Sequence, residues 1–216
     1  MGFDRANGVG KILDQFGDAV GTGYLLQGRD VFSGLQAEWV FVTAAHVVSD
    51  DSSERNKAPR AISPEEAFVQ FELGGEQTYR VAEIVFSSPR TELDCTILTL
   101  DAPIEMVNPY AIARQLPLVG KNQDVYLIGH PRGGALSFSI SDTMLLDFEL
   151  PLVHYSSITS AGNSGSPVFN QQWSLIAMHH ASGAHMKRLN GKEGSYSCNE
   201  GISIHSIRAA VAETIG

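Results

Sequence analysis

Gly162-Asn163-Ser164-Gly165-Ser166-Pro167 sets a serine between two glycines, directly ahead of the apolar run Pro167-Val168-Phe169. Such a serine reads as a nucleophile on a tight turn. Glycine tolerates backbone dihedrals that other residues resist, so Gly162 lets the chain turn its N–H groups outward. Two such N–H groups aimed at one point make an oxyanion hole. A Gly-Ser turn is also a common surface feature. The catalytic reading therefore requires a base and an orienting acid elsewhere in the chain.

Histidine is the usual base, because its unperturbed pKa lies near neutrality. The chain has seven: His46, His130, His154, His179, His180, His185 and His205. His46 closes Thr43-Ala44-Ala45-His46, a small-residue turn that follows the apolar stretch Trp39-Val40-Phe41-Val42. Asp94 heads the apolar run Cys95-Thr96-Ile97-Leu98, where an unpaired carboxylate is costly. Each residue alone has an ordinary reading as a turn histidine, a strand-end cap or a turn serine. Together they fall in the chain order His46, Asp94, Ser164.

The rest of the 216 residues reads as many short strands. Apolar or alternating runs cover 9–13, 19–26, 38–42, 68–73, 77–86 and 93–100, then 124–129, 136–140, 143–148, 152–155, 168–169, 175–180 and 202–204. Gly21 and Gly23 within the second run mark a bend or a close backbone approach. Gly74-Gly75 reads as a turn, residues 50–64 as a surface loop, 101–120 as a connector and 183–200 as a long polar loop. Helix is expected only at the His46 turn and over 207–215, with Ser206 as its cap. Closely spaced strands with frequent turns indicate an all-β barrel or sandwich. The 43% hydrophobic content suits one globular unit or two small barrels sharing a core. A net charge of −9 with no basic block argues against nucleic acid as a partner.

The three segments ending in His46, starting at Asp94 and centred on Ser164 resemble the signature segments of chymotrypsin-fold serine proteases. The resemblance runs from Val20-Gly21-Thr22-Gly23 to the C-terminal helix. It implies an all-β fold of two six-stranded β-barrels with a C-terminal helix. The first barrel is expected over about 8–105, the connector over about 101–120, the second barrel over about 121–205 and the helix over 206–216. It also implies that Ser164 attacks the scissile carbonyl of a protein or peptide substrate, His46 takes its proton, Asp94 holds the imidazole, and Gly162 and Ser164 bind the oxyanion. No cofactor and no metal is implied.

In this fold the residue six before the nucleophile lies near the base of the specificity pocket. Here it is Ile158, which offers no acid to a Lys or Arg side chain. Ser164 to Asn170 and the later His179 resemble the bacterial glutamyl endopeptidases. That likeness puts His179 and Thr159 at the positions that contact a substrate carboxylate, for which neutral or charge-assisted donors are suited. The chain departs from that group where His180-Ala181-Ser182 replaces Trp-Gly-Gly. Residues 180–182 are expected to offer a strand edge to which an extended peptide adds. The alternatives are a pocket for small or apolar residues and a metal site from His179, His180 and His185, whose spacing matches no standard zinc pattern.

Met178-His179-His180-Ala181-Ser182-Gly183 and Asn199-Glu200-Gly201-Ile202 also resemble trypsin-like domains of bacterial effector and defence proteins, which are often fused to or encoded beside other modules. The N-terminal residues show no signal pattern, and no apolar stretch reaches membrane-spanning length. Ala6 breaks the Gly2 myristoylation pattern. Two cysteines, Cys95 and Cys198, form no disulfide framework, and a cytoplasmic location is the expectation. The function indicated is a serine endopeptidase. Its rivals are a protease-fold peptide-binding module and a protease silent until a partner activates it.

Overall fold

The structure, a computed structural model, describes residues 2–73, 75–104, 108–119 and 123–215. Gly74 of the expected turn and residues 105–107 and 120 of the expected connector lie outside the described residues. Thirteen strands and four α-helices are described.

The first six strands are β1 (Val9–Leu13), β2 (Ala19–Gln27), β3 (Trp39–Thr43), β4 (Phe68–Phe71), β5 (Gln77–Ser88) and β6 (Cys95–Leu100). They close into a barrel in the order β1-β2-β3-β6-β5-β4, every neighbouring pair antiparallel. In β4 the side chains of Val69 and Phe71 go inward, as a period of two demands. The Phe71 ring meets Phe41 of β3 edge-on at 6.0 Å. Gly21 and Gly23 do mark a close approach: a Cβ at Gly23 would fall 2.2 Å from the Phe41 ring.

The remaining strands are β7 (Val125–Gly129), β8 (Ser137–Ser139), β9 (Met144–Glu149), β10 (Leu152–Ser156), β11 (Pro167–Asn170), β12 (Leu175–Lys187) and β13 (Ser195–Ser203). They form one seven-stranded sheet in the order β8-β7-β11-β12-β13-β10-β9, where six strands are expected. Its own core holds Val125, Leu127, Leu145, Val153, Tyr155 and Ile176. A larger core joins the barrel to this sheet, with Tyr24 and Phe41 in one cluster with Phe169, Met178 and Ile202.

Several local expectations are corrected. Residues 183–200 are not a loop, because β12 runs on to Lys187 and pairs with β13 from Ser195 as a long hairpin. Their polar composition reflects a hairpin arm standing in solvent. The stretch 50–64 carries a short helix, α3 (Ser52–Lys57), whose first turn is capped by Asp51 accepting from Ser53 N at 2.7 Å. Helices α1 (Gly2–Ala6) and α2 (Gly28–Val31) are also outside the expectation. The terminal helix α4 (Ile204–Ile215) starts earlier than read. Ser206 lies inside it, and Ser203 Oγ accepts from His205 N at its start, at 3.3 Å. Ile204, Ile207 and Val211 give α4 one buried face, and Arg208 Nε donates to Val31 O at 2.7 Å, fastening it to the N-terminal part.

Candidate active site

His46 stands on the hydrogen-bonded turn that follows β3, where Val47 N and Val48 N both donate to Ala44 O. Asp94 precedes β6 with φ at +44°, a left-handed conformation that aspartate adopts more readily than most residues. That conformation aims its carboxylate back at His46. Oδ1 accepts from His46 N at 3.0 Å, and Oδ2 lies 2.7 Å from His46 Nδ1. Asp94 is fully buried. Burial by itself would raise its carboxyl, but hydrogen bonds from His180 and His46 hold it well below the usual carboxylate range. It therefore stays ionised facing Nδ1 and keeps the proton of His46 on that nitrogen.

The nucleophile turn is tied to the first barrel through Thr22. Thr22 N donates to Ser164 O at 2.9 Å, and Thr22 Oγ1 donates to Gly162 O at 2.7 Å while accepting from His130 N at 3.1 Å. Gly162 has φ at +99° and presses against the turn at 130–133, where a Cβ would fall 2.6 Å from His130 O. Only glycine fits there. The preceding carbonyl, Ala161 O, is drawn aside by Arg132 N at 2.5 Å. Among the described residues the N–H groups of Gly162 and Ser164 have no acceptor, which leaves both free for an oxyanion. Gly21 lies between Ser164 O and Val47, the neighbour of His46, so the Ser164 turn and the His46 turn meet across β2. The Ser164 hydroxyl makes no hydrogen bond to His46 among the described residues, and such contacts in free enzymes commonly tighten only with substrate.

Beside this turn lies a cavity of about 370 Å³ whose lining includes Ser157, Ile158, Thr159, Ser182, Cys198 and Asn199. Among the described residues no charged side chain lines it. Ile158 is not at a closed base: it is 77% exposed, so it stands on the open side. Thr159 lines the wall with its hydroxyl donated to Asn199 Oδ1, and Asn199 Nδ2 donates to Ser157 O at 2.8 Å. His179 is buried behind the nucleophile turn, its backbone paired with Gly165 N and Ser166 O and its Nδ1 2.6 Å from Tyr155 OH. Burial, with His180 and His46 nearby, holds His179 down at about 3, so it is neutral.

The side chain of His180 is engaged elsewhere than in the cavity. Its ring turns away from the cavity, Nδ1 to Asp94 Oδ2 at 3.1 Å and Nε2 to Glu200 Oε1 at 3.0 Å. His179 and His180 thus serve different partners, and no group of three His, Cys, Asp or Glu able to hold a metal ion occurs among the described residues. Ala181 and Ser182 pair with β13 on one side, while the β11 ladder stops at Met178 on the other. Sequence reasoning missed Thr22, Tyr155 and Asn199, and gave no role to Glu200. Glu200 lay at the end of the stretch read as a polar loop, where a charged residue gives no signal.

Residues 21–178 match the family model described as the trypsin-like peptidase domain. An uncharacterized protein, y4fB, from Sinorhizobium fredii is 26% identical over 121 residues, which is 50% of this chain and 18% of that protein. The chain thus spans about a fifth of that relative's length. Among solved structures, the Rv3671c protease of M. tuberculosis H37Rv in an inactive form superposes with a TM-score of 0.65 at 15% identity, covering 98% of this chain and 90% of that one. The serine endoprotease from Yersinia pestis superposes with a TM-score of 0.65 at 16% identity, covering 99% and 64%. At these identities the two structures speak for the fold.

Proposed function

This chain belongs to the trypsin-like peptidase family, and from that premise we propose that it is a serine endopeptidase acting through His46, Asp94 and Ser164. The observation that carries the reading is the double link of the buried Asp94 carboxylate to His46, at 2.7 Å and 3.0 Å. A buried carboxylate so placed supports one task, holding the Nδ1 proton while Nε2 works as a base. Ser164 Oγ attacks the scissile carbonyl carbon and passes its proton to His46 Nε2. The oxyanion is held by the N–H groups of Gly162 and Ser164. His46 then gives the proton to the departing amine, leaving an acyl-enzyme. A water molecule, deprotonated by His46, attacks the ester and restores the Ser164 hydroxyl.

The preferred side chain on the acyl side is acidic in this reading. The lining of the cavity supplies hydroxyls and an amide and no carboxylate, which disfavours Lys and Arg. Tyr155 is buried, and burial keeps its phenol protonated, so its O–H needs an acceptor. That acceptor is His179 Nδ1, and a neutral His179, buried and outside the cavity lining, then carries its proton on Nε2, the ring nitrogen left to donate. Cys95 and Cys198 are separate buried thiols, which supports a reducing, cytoplasmic setting. A place in a bacterial effector or defence system rests on the motif likeness alone.

A fluorophosphonate probe tests the activity. Labelling of the wild type and its loss in Ser164→Ala are expected, and a folded wild type that never labels is instead a peptide-binding module or awaits an activating partner. A peptide library tests the specificity. Cleavage after Glu or Asp that His179→Ala diminishes is expected, whereas cleavage after Ala or Leu with no acidic preference removes the role given to His179. Cell fractionation tests the location, and recovery outside the cytoplasm overturns it.

A further inference from the structure

The Asp94 carboxylate is one end of a longer chain of buried and half-buried side chains. Asp94 Oδ2 meets His180 Nδ1 at 3.1 Å, His180 Nε2 meets Glu200 Oε1 at 3.0 Å, Glu200 Oε2 meets His154 Nε2 at 2.7 Å, and His154 Nδ1 meets Tyr196 OH at 2.8 Å. The strand register explains how His180 reaches into it. His179 pairs with Gly201 and Ala181 with Glu200, so His180 is an extra residue on β12 with no partner across the ladder. Such a bulge redirects a side chain, and here it swings the ring toward the other barrel.

The geometry also dictates the charge state. A carboxylate only accepts hydrogen bonds, and each ring nitrogen of His180 faces a carboxylate oxygen. A neutral imidazole has one N–H, so it satisfies one carboxylate and turns a lone pair on the other. Only the imidazolium serves both. We propose that His180 is a positioning residue for the triad, an imidazolium at neutral pH clamped between Asp94 and Glu200 that holds the Asp94 carboxylate in place against His46. This rests on the peptidase reading above.

Asp94 from the first barrel and Glu200 from β13 face His180 directly; His46 shares the Asp94 oxygen, His179 is its chain neighbour, and His154 of β10 and Tyr196 of β13 continue the chain beyond Glu200. Burial disfavours the charge on His180, but the two carboxylates outweigh it and push the ring up to about 9. Burial likewise opposes the charge on Glu200, and hydrogen bonds from His154 and His180 hold it at about 2. His180 and His46 share one oxygen of Asp94, so the proton on His180 tempers the negative charge that His46 feels. When that proton leaves, one of the two carboxylates loses its donor and the Asp94 clamp opens.

Two measurements decide this. In folded Ser164→Ala protein, nitrogen NMR of the histidines, assigned by loss of a signal in His180→Ser, is expected to show His180 protonated on both nitrogens at pH 7.5. A neutral His180 there overturns the proposal whether or not the protein is a peptidase. In the active protein, kcat/KM, or the fluorophosphonate labelling rate, is expected to fall on the alkaline side with a midpoint near pH 9. Glu200→Gln should move that midpoint down by about a unit or more, since it removes one of the two charges that favour the imidazolium. A midpoint unmoved in folded Glu200→Gln overturns the positioning role. A doubly protonated His180 in a protein with no labelling overturns the peptidase reading and leaves the charged bridge standing.

Discussion

His46 and Asp94 are joined twice, ring Nδ1 to Oδ2 at 2.7 Å and backbone N to Oδ1 at 3.0 Å, so both carboxylate oxygens meet His46, and Oδ2 also meets His180. Asp94→Asn is expected to break this pairing chemically while changing the shape little. The amide has one accepting atom where two are needed, and either orientation sets an NH2 against an N–H. The tautomer of His46 is then wrong for a base, and kcat should fall by about 10⁴-fold at neutral pH. Steady-state kinetics with a Tm within a few degrees of wild type check this.

Thr22 links the nucleophile turn to the barrel from both ends of its hydroxyl. Thr22→Val keeps the volume and strands Gly162 O and His130 N without partners. Leaving buried polar groups unmade costs about 1–3 kcal/mol, seen as a lower urea midpoint. The oxyanion donors ride on the same turn, so kcat should fall more than KM changes.

Asn199 holds the Thr159 hydroxyl and Ser157 carbonyl at the wall of the cavity. Asn199→Asp introduces a charge among neutral donors. Cleavage after Glu should drop at least about tenfold, one such step being worth ~1.4 kcal/mol, and Lys or Arg should become acceptable. Library profiling of the variant against wild type reads both changes, and an unaltered profile removes Asn199 from the pocket.

The buried network predicts a stability maximum near pH 6.5. His180 is raised from 6.5 to about 9 on folding, so its contribution is complete below 6.5 and is lost as pH rises through 9. His179 is lowered from 6.5 to about 3, so below 6.5 the unfolded chain binds a proton that the folded chain refuses, and stability declines as pH falls. Glu200, lowered from 4.5 to about 2, adds to the loss below 4.5, as does the depressed Asp94. Thermal melts of Ser164→Ala protein, in which self-cleavage is absent, should peak near pH 6.5 and fall toward pH 4 and pH 10. A Tm still rising from pH 7 to 9 contradicts the raised His180.

Much of this was readable in the chain. The three candidate residues lay in three short segments, because each is marked by its own local context: a small-residue turn after a buried strand, an acid ahead of an apolar run, a serine between glycines. The strands were likewise visible, since alternation and apolar runs report burial locally. The hairpin of β12 and β13 was not visible, because its arms are polar where they leave the core. Nor was the helix in 52–57, which is short and rests on a single cap.

The sequence alone marked His46, Asp94 and Ser164 as candidates and gave their order along the chain. It could not tell which way His180 faces. That depends on one unpaired residue in the register between β12 and β13, and register is a property of two strands together. The same holds for Ile158, expected at the base of the pocket and found on its open side. Side-chain direction within a bulge or a loop follows from what packs around it. Only the assembled barrel and sheet bring Asp94, His180 and Glu200 from three distant stretches into one hydrogen-bonded line.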